Sequence, residues 1–410
     1  MIMGEKSVFR FWEMRKVRLL FVNGHLKVGG VEMALVNLLN SLNFDKYSVD
    51  LLLLQSGYDY EDEIPKYVNI LKYNLDVAEG PFLKTLLRNI KERNWFCVRY
   101  RLLNVLSRCF SKKVLKYLLL ERNLQKQYDI AVAFRPGICA DITAYAIKAP
   151  KKLCWWHHGS LDINIPLTEL KYQLEQFVRV IAVSEGVKTM LAEAFPSLAL
   201  RLSVIPNIVD RYCILRKAGE YNPYDNRGNE VNNNIRIASV SRLSPEKNVD
   251  AVVDVAKNLK ERGFKFQWFI VGDGECASMI QARIFEYGLE STVYLVGQQI
   301  NPFPWIKGAD IMVHLSPVES FGLVLIEAMV LKTFVIAVES IGAKELINQQ
   351  NGVMVENDII AIANAIFSAI SQNYKMESAI NSAYSGVDRF YSDKVSRTFN
   401  NLIDSYISEV

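Results

Sequence analysis

Short apolar runs alternate along the chain with polar turns and with segments whose apolar residues recur at helical spacing. The first series of runs covers residues 17–22, 49–54, 130–134, 152–156, 178–183 and 202–205. The second series covers residues 235–240, 268–271, 293–296, 311–314 and 334–338. Strands buried on both faces are almost continuously apolar, and their alternation with helices is typical of parallel βαβ units. The pattern therefore predicts an α/β protein with two Rossmann-like, doubly wound domains that face a cleft.

The domain boundaries follow from the polar, turn-rich segment between the two series. We expect a first domain over residues 1–214, a linker over 215–234 and a second domain over 235–388. The remainder, 389–410, predicts a helix that could cross back to the first domain. Ligands of such folds bind outside the carboxyl ends of the strands, so the cleft between the domains is the expected site.

The composition bears on compartment and on metal binding. Of the 410 residues, 50% are hydrophobic and 22% are charged, and the net charge is +4, which is ordinary for a globular protein. The six cysteines show no CxxC spacing and the four histidines form no cluster, so we expect free thiols in a reducing compartment and no metal. Charged residues interrupt the first sixteen positions and no run of eighteen apolar residues occurs, so neither a secretory signal nor a spanning helix is predicted. The expected location is the cytoplasm, with peripheral contact to the inner face of the cell membrane left open.

Two glutamates, Glu319 and Glu327, stand eight positions apart in the segment 316–329. Glu319 lies in a polar stretch, whereas Glu327 lies inside an apolar run that predicts a helix. The open N–H groups at the start of that helix, near Phe321 and Gly322, attract phosphate. Carboxylates accept hydrogen bonds from sugar and ribose hydroxyls. Phosphate and polyol groups held together indicate a nucleotide sugar.

Charged residues and glycines follow the first strand of each predicted domain. Arg242 offers a planar fork and Lys247 a point charge, and together they could hold a diphosphate from two directions. A solvated surface pair is the alternative interpretation. Gly29 and Gly30 open a helix at a place where backbone can approach an anionic ligand, although a tight turn alone would also explain them.

Two further strand ends carry candidate residues. Gly272 matches only part of a dinucleotide fingerprint; the full GxGxxG is absent, which disfavours a nicotinamide dehydrogenase and leaves a structural role open. His157 and His158 precede Gly159 at the end of a first-domain strand. We expect one of them to hydrogen-bond a substrate and favour His157, while a purely structural histidine is the alternative.

A basic block covers residues 81–127, where twelve lysines and arginines face only two acids, Glu92 and Glu121. Leucine, phenylalanine and tryptophan residues are interleaved with these charges. Basic amphipathic helices of this composition bind the anionic membrane interface. The alternatives are a solvated helical insertion packed on its own domain and, less favoured, a nucleic-acid patch.

Several of these segments, taken together and in this order, resemble a known family. They are residues 29–32, 183–187, 204–210, 241–248 and the pair Glu319 and Glu327 with Ser-Phe-Gly between them. The chain resembles, from about residue 18 to 356, the retaining GT-B glycosyltransferases of the large nucleotide-sugar-dependent family four. The bacterial branch that makes capsule or exopolysaccharide is the most similar.

The resemblance implies roles for residues of the second domain. Arg242 and Lys247 would bind the donor diphosphate, Glu327 the ribose hydroxyls and Glu319 the donor sugar. The other donor-binding positions that it implies in this domain are Gly272, Ser320, Phe321, Gly322 and Leu323, with Gly297 and Gln298 at the base.

The resemblance also implies roles in the first domain. Gly29 and Gly30 would border the donor phosphates or the acceptor, and His157 would lie near the sugar, with His158 beside it. The expected catalytic residues are then Glu319, His157, Arg242 and Lys247. Family members need no metal or other cofactor.

The sequence departs from the family in three places. Gly342 stands alone where a glycine pair is usual, His158 takes a place often held by small or acidic residues, and the insertion 81–127 lies outside the shared pattern.

The function implied is transfer of a hexosyl unit from a nucleotide diphosphate sugar, with UDP favoured, to a glycan acceptor with retention of configuration. A lipid-linked acceptor in bacterial surface polysaccharide synthesis is expected, with an anionic membrane surface as a partner and no nucleic acid. No clear protein base is found, so a phosphate oxygen of the donor would take the acceptor proton. The alternatives are a nucleotide-sugar 2-epimerase of the same fold and a non-catalytic glycan- or lipid-binding scaffold.

Overall fold

The computed structural model describes residues 15–109, 111–117, 127–224, 234–371 and 373–407. Residues 225–233 of the predicted linker, together with Arg122 and Lys126 of the basic block, lie outside these ranges.

The first domain is built around a parallel sheet. Its strands are β1 (Val17–Asn23), β2 (Tyr47–Leu53), β3 (Val68–Lys72), β4 (Ile130–Ala133), β5 (Lys151–Trp156), β6 (Arg179–Ala182) and β7 (Leu202–Val204). Across the described residues they pair in the order β3-β2-β1-β4-β5-β6-β7. The helices are α1 (Gly30–Asn40), α2 (Phe82–Lys91), α3 (Trp95–Cys109), α4 (Ile138–Asp141), α5 (Leu167–Leu174), α6 (Glu185–Ala194) and α7 (Arg211–Lys217). Short 3₁₀ turns span Glu61–Glu63, Leu75–Ala78, Lys112–Tyr117 and Pro196–Arg201, and a π-helical turn spans Ile142–Ala146.

The second domain repeats this plan. Its strands are β8 (Ile235–Val240), β9 (Phe266–Val271), β10 (Val293–Gly297), β11 (Ile311–His314), β12 (Phe334–Val338) and β13 (Val353–Val355). They pair in parallel in the order β10-β9-β8-β11-β12-β13. The helices are α8 (Ala251–Glu261), α9 (Ala277–Glu286), α10 (Phe303–Lys307), α11 (Leu323–Val330), α12 (Ile341–Leu346), α13 (Ile359–Ser371), α14 (Asn373–Gly386) and α15 (Ser392–Ile407). The 3₁₀ turns are Pro245–Lys247 and Val387–Phe390.

The two doubly wound domains predicted from the apolar runs are confirmed, but two strands escape the sequence pattern. Strand β3 is one outer strand of the first sheet and β13 is one outer strand of the second. Both are largely half-buried or exposed, unlike the central strands. Polar residues interrupt β3 and β13 is only 3 residues long, so neither forms an apolar run of the length that the pattern requires.

In each sheet the strand order reverses at one point. In the first sheet this point lies between β1 and β4, and in the second between β8 and β11. A crevice opens where the connections of two such strands diverge to opposite faces. The predicted site residues after β1, β8 and β11 are thereby brought to two facing crevices.

Helix α15 leaves the second domain and packs on the first. The ring of Phe399 lies 6.2 Å from that of Phe21 in β1 and 5.9 Å from that of Trp155 in β5. The Tyr47 hydroxyl donates to Asn400 at 3.0 Å. The last helix therefore fills the core under the first sheet and ties the two domains together.

Replacing Phe399 by alanine should lower the free energy of unfolding by about 3–5 kcal/mol, because a fully buried ring is removed from a packed core. Urea denaturation followed by circular dichroism measures this. The control Phe285→Ala, on α9 and 74% exposed, should change stability by less than about 0.5 kcal/mol. Equal effects of the two substitutions would contradict the packing of α15 described above.

Candidate functional site

The two domains touch where the loop after β5 meets the loop after β11. The Ser320 hydroxyl donates to the His157 carbonyl at 2.7 Å, and the Ser184 hydroxyl donates to the Ser320 carbonyl at 2.7 Å. A Cβ atom at Gly159 would lie 2.7 Å from the carbonyl carbon of Glu319. Such a contact is sterically forbidden, so glycine at 159 allows the two backbones to approach. The position of Glu319 is thus fixed from both domains.

The carboxylate of Glu319 is buried at the start of helix α11. One oxygen accepts a hydrogen bond from Lys247 Nζ at 3.0 Å and lies 3.4 Å from His314 Nε2. The other accepts from the amides of Ser320 at 3.2 Å and Gly322 at 3.3 Å. Burial acts to raise the pKa of Glu319, but the His314 imidazole and the Lys247 charge outweigh it and hold that pKa well below its usual range.

This arrangement corrects the expectation that the amides near Gly322 are open. Its own carboxylate occupies two of those amides. The next two donors, the N–H groups of Leu323 and Val324, belong to the first turn of α11 and have no intrahelical acceptor. Opposite them stands the start of α1, because a Cβ atom at Gly30 would lie 3.6 Å from Leu323 Cδ1. Two helix N-termini therefore converge on the cleft, which favours an anion there.

The histidine pair takes the opposite arrangement to the one favoured from sequence. The His157 ring packs inside the first domain, 4.6 Å from the Phe134 ring and 6.0 Å from the Trp155 ring. Both of its ring nitrogens are buried and lack a hydrogen-bond partner among the described residues. His157 therefore contributes its carbonyl to the domain contact, and its ring is buried against these aromatic rings.

His158 is the histidine that faces the cations. Burial lowers the pKa of His158 to about 4, and the charges of Arg135, Arg242 and Lys247 add to this effect. Its imidazole is therefore neutral at physiological pH and can donate one hydrogen bond and accept another. Arg242 itself is exposed and pairs with Glu246, with 3.0 Å between Nη2 and Oε1.

A buried acid in the first domain was not assigned a role from sequence. Glu32, in the first turn of α1, forms an ion pair with Arg135 and lies 3.3 Å from His25 Nδ1. Its carboxylate folds over Gly29, where a Cβ atom would lie 2.5 Å from Oε2. Burial raises the pKa of Glu32 even with Arg135 beside it. The available signal was an acid two positions after a glycine pair, at a helix start where acids are favoured.

Glu327 lies about one turn into α11 and is partly buried. Burial raises the pKa of Glu327 to about 7. The pKa of Tyr60 in the first domain is raised mainly by burial and next by the charge of Glu327. The Glu327 carboxyl group therefore points toward the cleft side. Within the described chain no hydrogen bond or ion pair to this carboxyl group is formed, and it is free to accept hydroxyl donors.

The remaining glycines differ in role. A Cβ atom at Gly272 would lie 1.9 Å from the Ser241 carbonyl oxygen, so glycine is required there for the packing of two strand ends. The structural interpretation of Gly272 is therefore sufficient. Gly297, at φ +80°, has open space on its Cβ side, and Gln298 after it is exposed. These two positions line the cleft next to the end of β10.

A cavity of about 500 Å³ lies in the first domain beside the cleft. Tyr100, Asn104 and Ser107 of α3 form one wall. In another wall Lys112 bridges Asp141 and Glu169, at 2.7 Å from each. The cavity is lined mainly by hydrogen-bonding groups, and part of the basic insertion builds it.

The described residues contain no group of three or more histidine, cysteine, aspartate or glutamate side chains arranged to hold a metal ion. In the same residues no helix combines the length and apolar character needed to cross a bilayer.

Comparison with known proteins gives matches of several kinds. Residues 222–386 match the family model described as "Glycosyl transferases group 1". A poly(ribitol-phosphate) alpha-N-acetylglucosaminyltransferase of Staphylococcus aureus is 28% identical over 33% of this chain and 28% of its own length. AmsK, an amylovoran biosynthesis glycosyltransferase of Erwinia amylovora, is 31% identical over 34% of this chain and 36% of its own length. The chain therefore spans well under half the length of these curated relatives.

The fold extends the similarity to the whole chain. HepE of Anabaena, in a crystal structure with UDP and glucose, has a TM-score of 0.70 and 19% identity and covers 95% of this chain and 100% of its own. This likeness confirms the predicted GT-B fold, in which two Rossmann-like domains face each other.

Glu327 should make stability depend on pH. The folded chain keeps the Glu327 proton to about pH 7, whereas the unfolded chain loses it near 4.5. Between these values the folded state binds more protons, so stability falls as pH rises and stays lower above pH 7. The unfolding free energy of the wild type minus that of Glu327→Gln should therefore fall by roughly 1–3 kcal/mol across this range. Urea titrations from pH 4.5 to 8 measure it.

The exposed Glu290→Gln variant controls for removing one carboxylate from the same domain. The difference in unfolding free energy between wild type and variant is compared across the pH range for both substitutions. If it changed no more with pH for Glu327→Gln than for Glu290→Gln, the protonated state assigned to Glu327 would be wrong.

Proposed function

We propose that the protein is a retaining glycosyltransferase that moves a hexosyl unit from a UDP-sugar to a hydroxyl of a glycan acceptor. One observation carries this proposal: Arg242, Lys247 and the starts of α1 and α11 converge on one cleft, with Glu327 open beside them. Cations and helix amides suit a diphosphate, and the carboxyl group suits ribose hydroxyls. The GT-B fold shared with HepE, which binds UDP and glucose, supports the donor class.

The chemistry separates the sugar from its diphosphate. The bond from the anomeric carbon to the β-phosphate oxygen breaks, and a bond to the acceptor oxygen forms on the same face. Negative charge grows on the departing diphosphate. Lys247 and the amides of Leu323 and Val324 stabilise that charge, an effect worth several kcal/mol in comparable sites. A phosphate oxygen of the donor takes the acceptor proton.

Glu319 and His158 have different tasks in this proposal. Glu319 holds Lys247 through the 3.0 Å ion pair, so the ammonium group is oriented before the donor arrives. His158 stays neutral and hydrogen-bonds a hydroxyl of the donor sugar. This assignment replaces the direct sugar contact expected of Glu319 and the role expected of His157. No metal ion is needed, because lysine, arginine and helix amides supply the positive charge.

The acceptor enters from the first domain. The cavity beside α3 offers hydroxyl, amide and carboxylate groups, which suit the polyol of a glycan. The amylovoran and poly(ribitol-phosphate) relatives favour synthesis of a bacterial surface polysaccharide. We propose a lipid-linked acceptor, and with it a location in the cytoplasm at the inner face of the cell membrane.

Replacing Lys247 by alanine should abolish the rise in melting temperature that UDP and UDP-sugars cause in the wild type, because the diphosphate loses a half-buried cation. Turnover should fall by about 10²-fold or more. Differential scanning fluorimetry with a panel of UDP- and GDP-sugars, followed by a UDP-release assay, measures both. Lys257→Ala, on the outer helix α8 of the same domain, is the control and should keep both signals. Near-normal turnover of the Lys247→Ala variant would refute the assignment.

The two neighbouring histidines allow a paired test. His158→Ala should lower kcat by about 10²-fold, because it removes a hydrogen bond to the reacting sugar. His157→Phe should keep most activity, since phenylalanine fills the same aromatic pocket. Steady-state kinetics at pH 7.5, with circular dichroism to verify folding, distinguish the two. The reverse ranking would restore the role that the sequence assigns to His157.

The two alternative functions predict different outcomes when the protein is incubated with a UDP-sugar. A 2-epimerase would convert the UDP-sugar to its epimer with no acceptor, which NMR of the donor incubated with enzyme alone would detect. A non-catalytic scaffold would bind the donor in fluorimetry yet release no UDP with any acceptor.

A further inference from the structure

In helix α2 the polar face turns toward the protein and the apolar face toward solvent, which is the reverse of an ordinary surface helix. Thr85 is 3% exposed and Asn89 0%, whereas Leu83 is 70%, Leu87 64% and Ile90 40% exposed. The three apolar residues stand at i, i+4 and i+7 and form one stripe along the helix. In a soluble globular protein such a stripe normally faces the core.

The donors of the inward polar residues are paired with backbone carbonyls, so the orientation is built into the domain. The Thr85 hydroxyl donates to the Glu79 carbonyl at 3.1 Å. The Asn89 amide nitrogen donates to the carbonyls of Val77 and Thr85, each at 2.8 Å, while its buried oxygen has no partner among the described residues. Turning the helix over would take these donors away from the carbonyls of Val77 and Glu79, which is costly. The apolar stripe is therefore held outward by the packing beneath it.

The outward surface continues beyond α2. Trp95, at the start of α3, is 60% exposed, and Leu102 and Leu106 further along the helix are also exposed. Contiguous exposed apolar surface of this kind marks an interaction site. Tryptophan is the residue that favours the boundary between lipid headgroups and acyl chains.

The charges around the stripe identify its partner. Lys84 follows Leu83 and Lys91 follows Ile90, and both lysines are exposed. Over residues 81–127 the chain has twelve basic residues against two acids. An apolar stripe beside lysines complements an anionic lipid surface. The aliphatic part of each lysine side chain enters the interface, and its ammonium group contacts a lipid phosphate.

We propose that the outward face of α2, with Trp95, docks on an anionic phospholipid bilayer. Leu83, Leu87 and Ile90 enter the interface, while Lys84 and Lys91 contact lipid phosphates. The opposite side of the insertion, through Tyr100 and Asn104, lines the cavity beside the cleft. Docking therefore places that cavity close to the membrane surface, where it would receive a lipid-linked acceptor; only this last consequence rests on the proposed function.

Vesicle sedimentation tests the surface without donor or acceptor. The full chain should sediment with vesicles of phosphatidylcholine and phosphatidylglycerol and remain mostly unbound with phosphatidylcholine alone. High salt should weaken the binding. The double variant Leu83→Ser and Leu87→Ser should bind the anionic vesicles at least about tenfold more weakly than the wild type does.

A matched control substitutes Leu200, which is 95% exposed in the 3₁₀ turn Pro196–Arg201 of the same domain. Leu200→Ser should bind vesicles as the wild type does. Equal loss in both variants, equal binding to both kinds of vesicle, or no binding at all would overturn the proposal. So would analytical ultracentrifugation showing that the double variant only converts a dimer to a monomer while vesicle binding persists.

A second measurement separates this proposal from the proposed catalysis. The double variant should keep the wild-type rise in melting temperature with UDP, since α2 lies outside the cleft. Vesicle binding without any UDP effect would support the docking surface and count against the UDP site. A UDP effect without vesicle binding would support the UDP site and count against the docking surface.

Discussion

The buried carboxylate of Glu319 is the constraint around which the cleft is organised. A charge removed from water requires compensation, and three kinds of group supply it: Lys247, His314 and the amides at the start of α11. Each of them is thereby fixed in place. The Glu319 backbone also lies at the contact between the domains. There Ser320 donates to the His157 carbonyl, and Gly159 of the first domain packs closely against Glu319. One ionised group thus couples the electrostatics of the second domain to the contact between the two domains.

The first domain contains a matching arrangement. Glu32 is buried at the start of α1 and pairs with Arg135, as Glu319 does with Lys247 at the start of α11. In each domain an acid of the protein balances a cation. The amides of Leu323 and Val324 and the exposed Arg242 keep their capacity to meet an anion. In the proposed function a diphosphate would therefore bind without displacing either glutamate, and both supporting pairs would stay intact.

The sequence predicts the architecture well where strands are buried on both faces, and less well where they are not. Central strands such as β1 and β9 are long, buried and largely apolar, whereas the outer strand β3 mixes polar and apolar residues and the outer strand β13 is only 3 residues long. Charged residues after β8 and β11 could be placed at one sheet edge because parallel strands share a direction. The approach of Gly159 to Glu319 could not be predicted, since it joins residues from two domains.

The histidine pair and helix α2 show why periodicity alone leaves orientation open. Along β5 and its extension, Trp155 and His157 share one face, and Trp156 and His158 share the other. Because both tryptophans are buried, the alternation does not choose between the two histidines. The same holds for α2. Its apolar stripe at Leu83 and Leu87 has the spacing of an inward face, and only the carbonyls of Val77 and Glu79 decide that the polar face turns inward. Local hydrogen bonding, not hydrophobic spacing, therefore determines which side of this helix meets solvent, and it leaves apolar surface free next to the cavity.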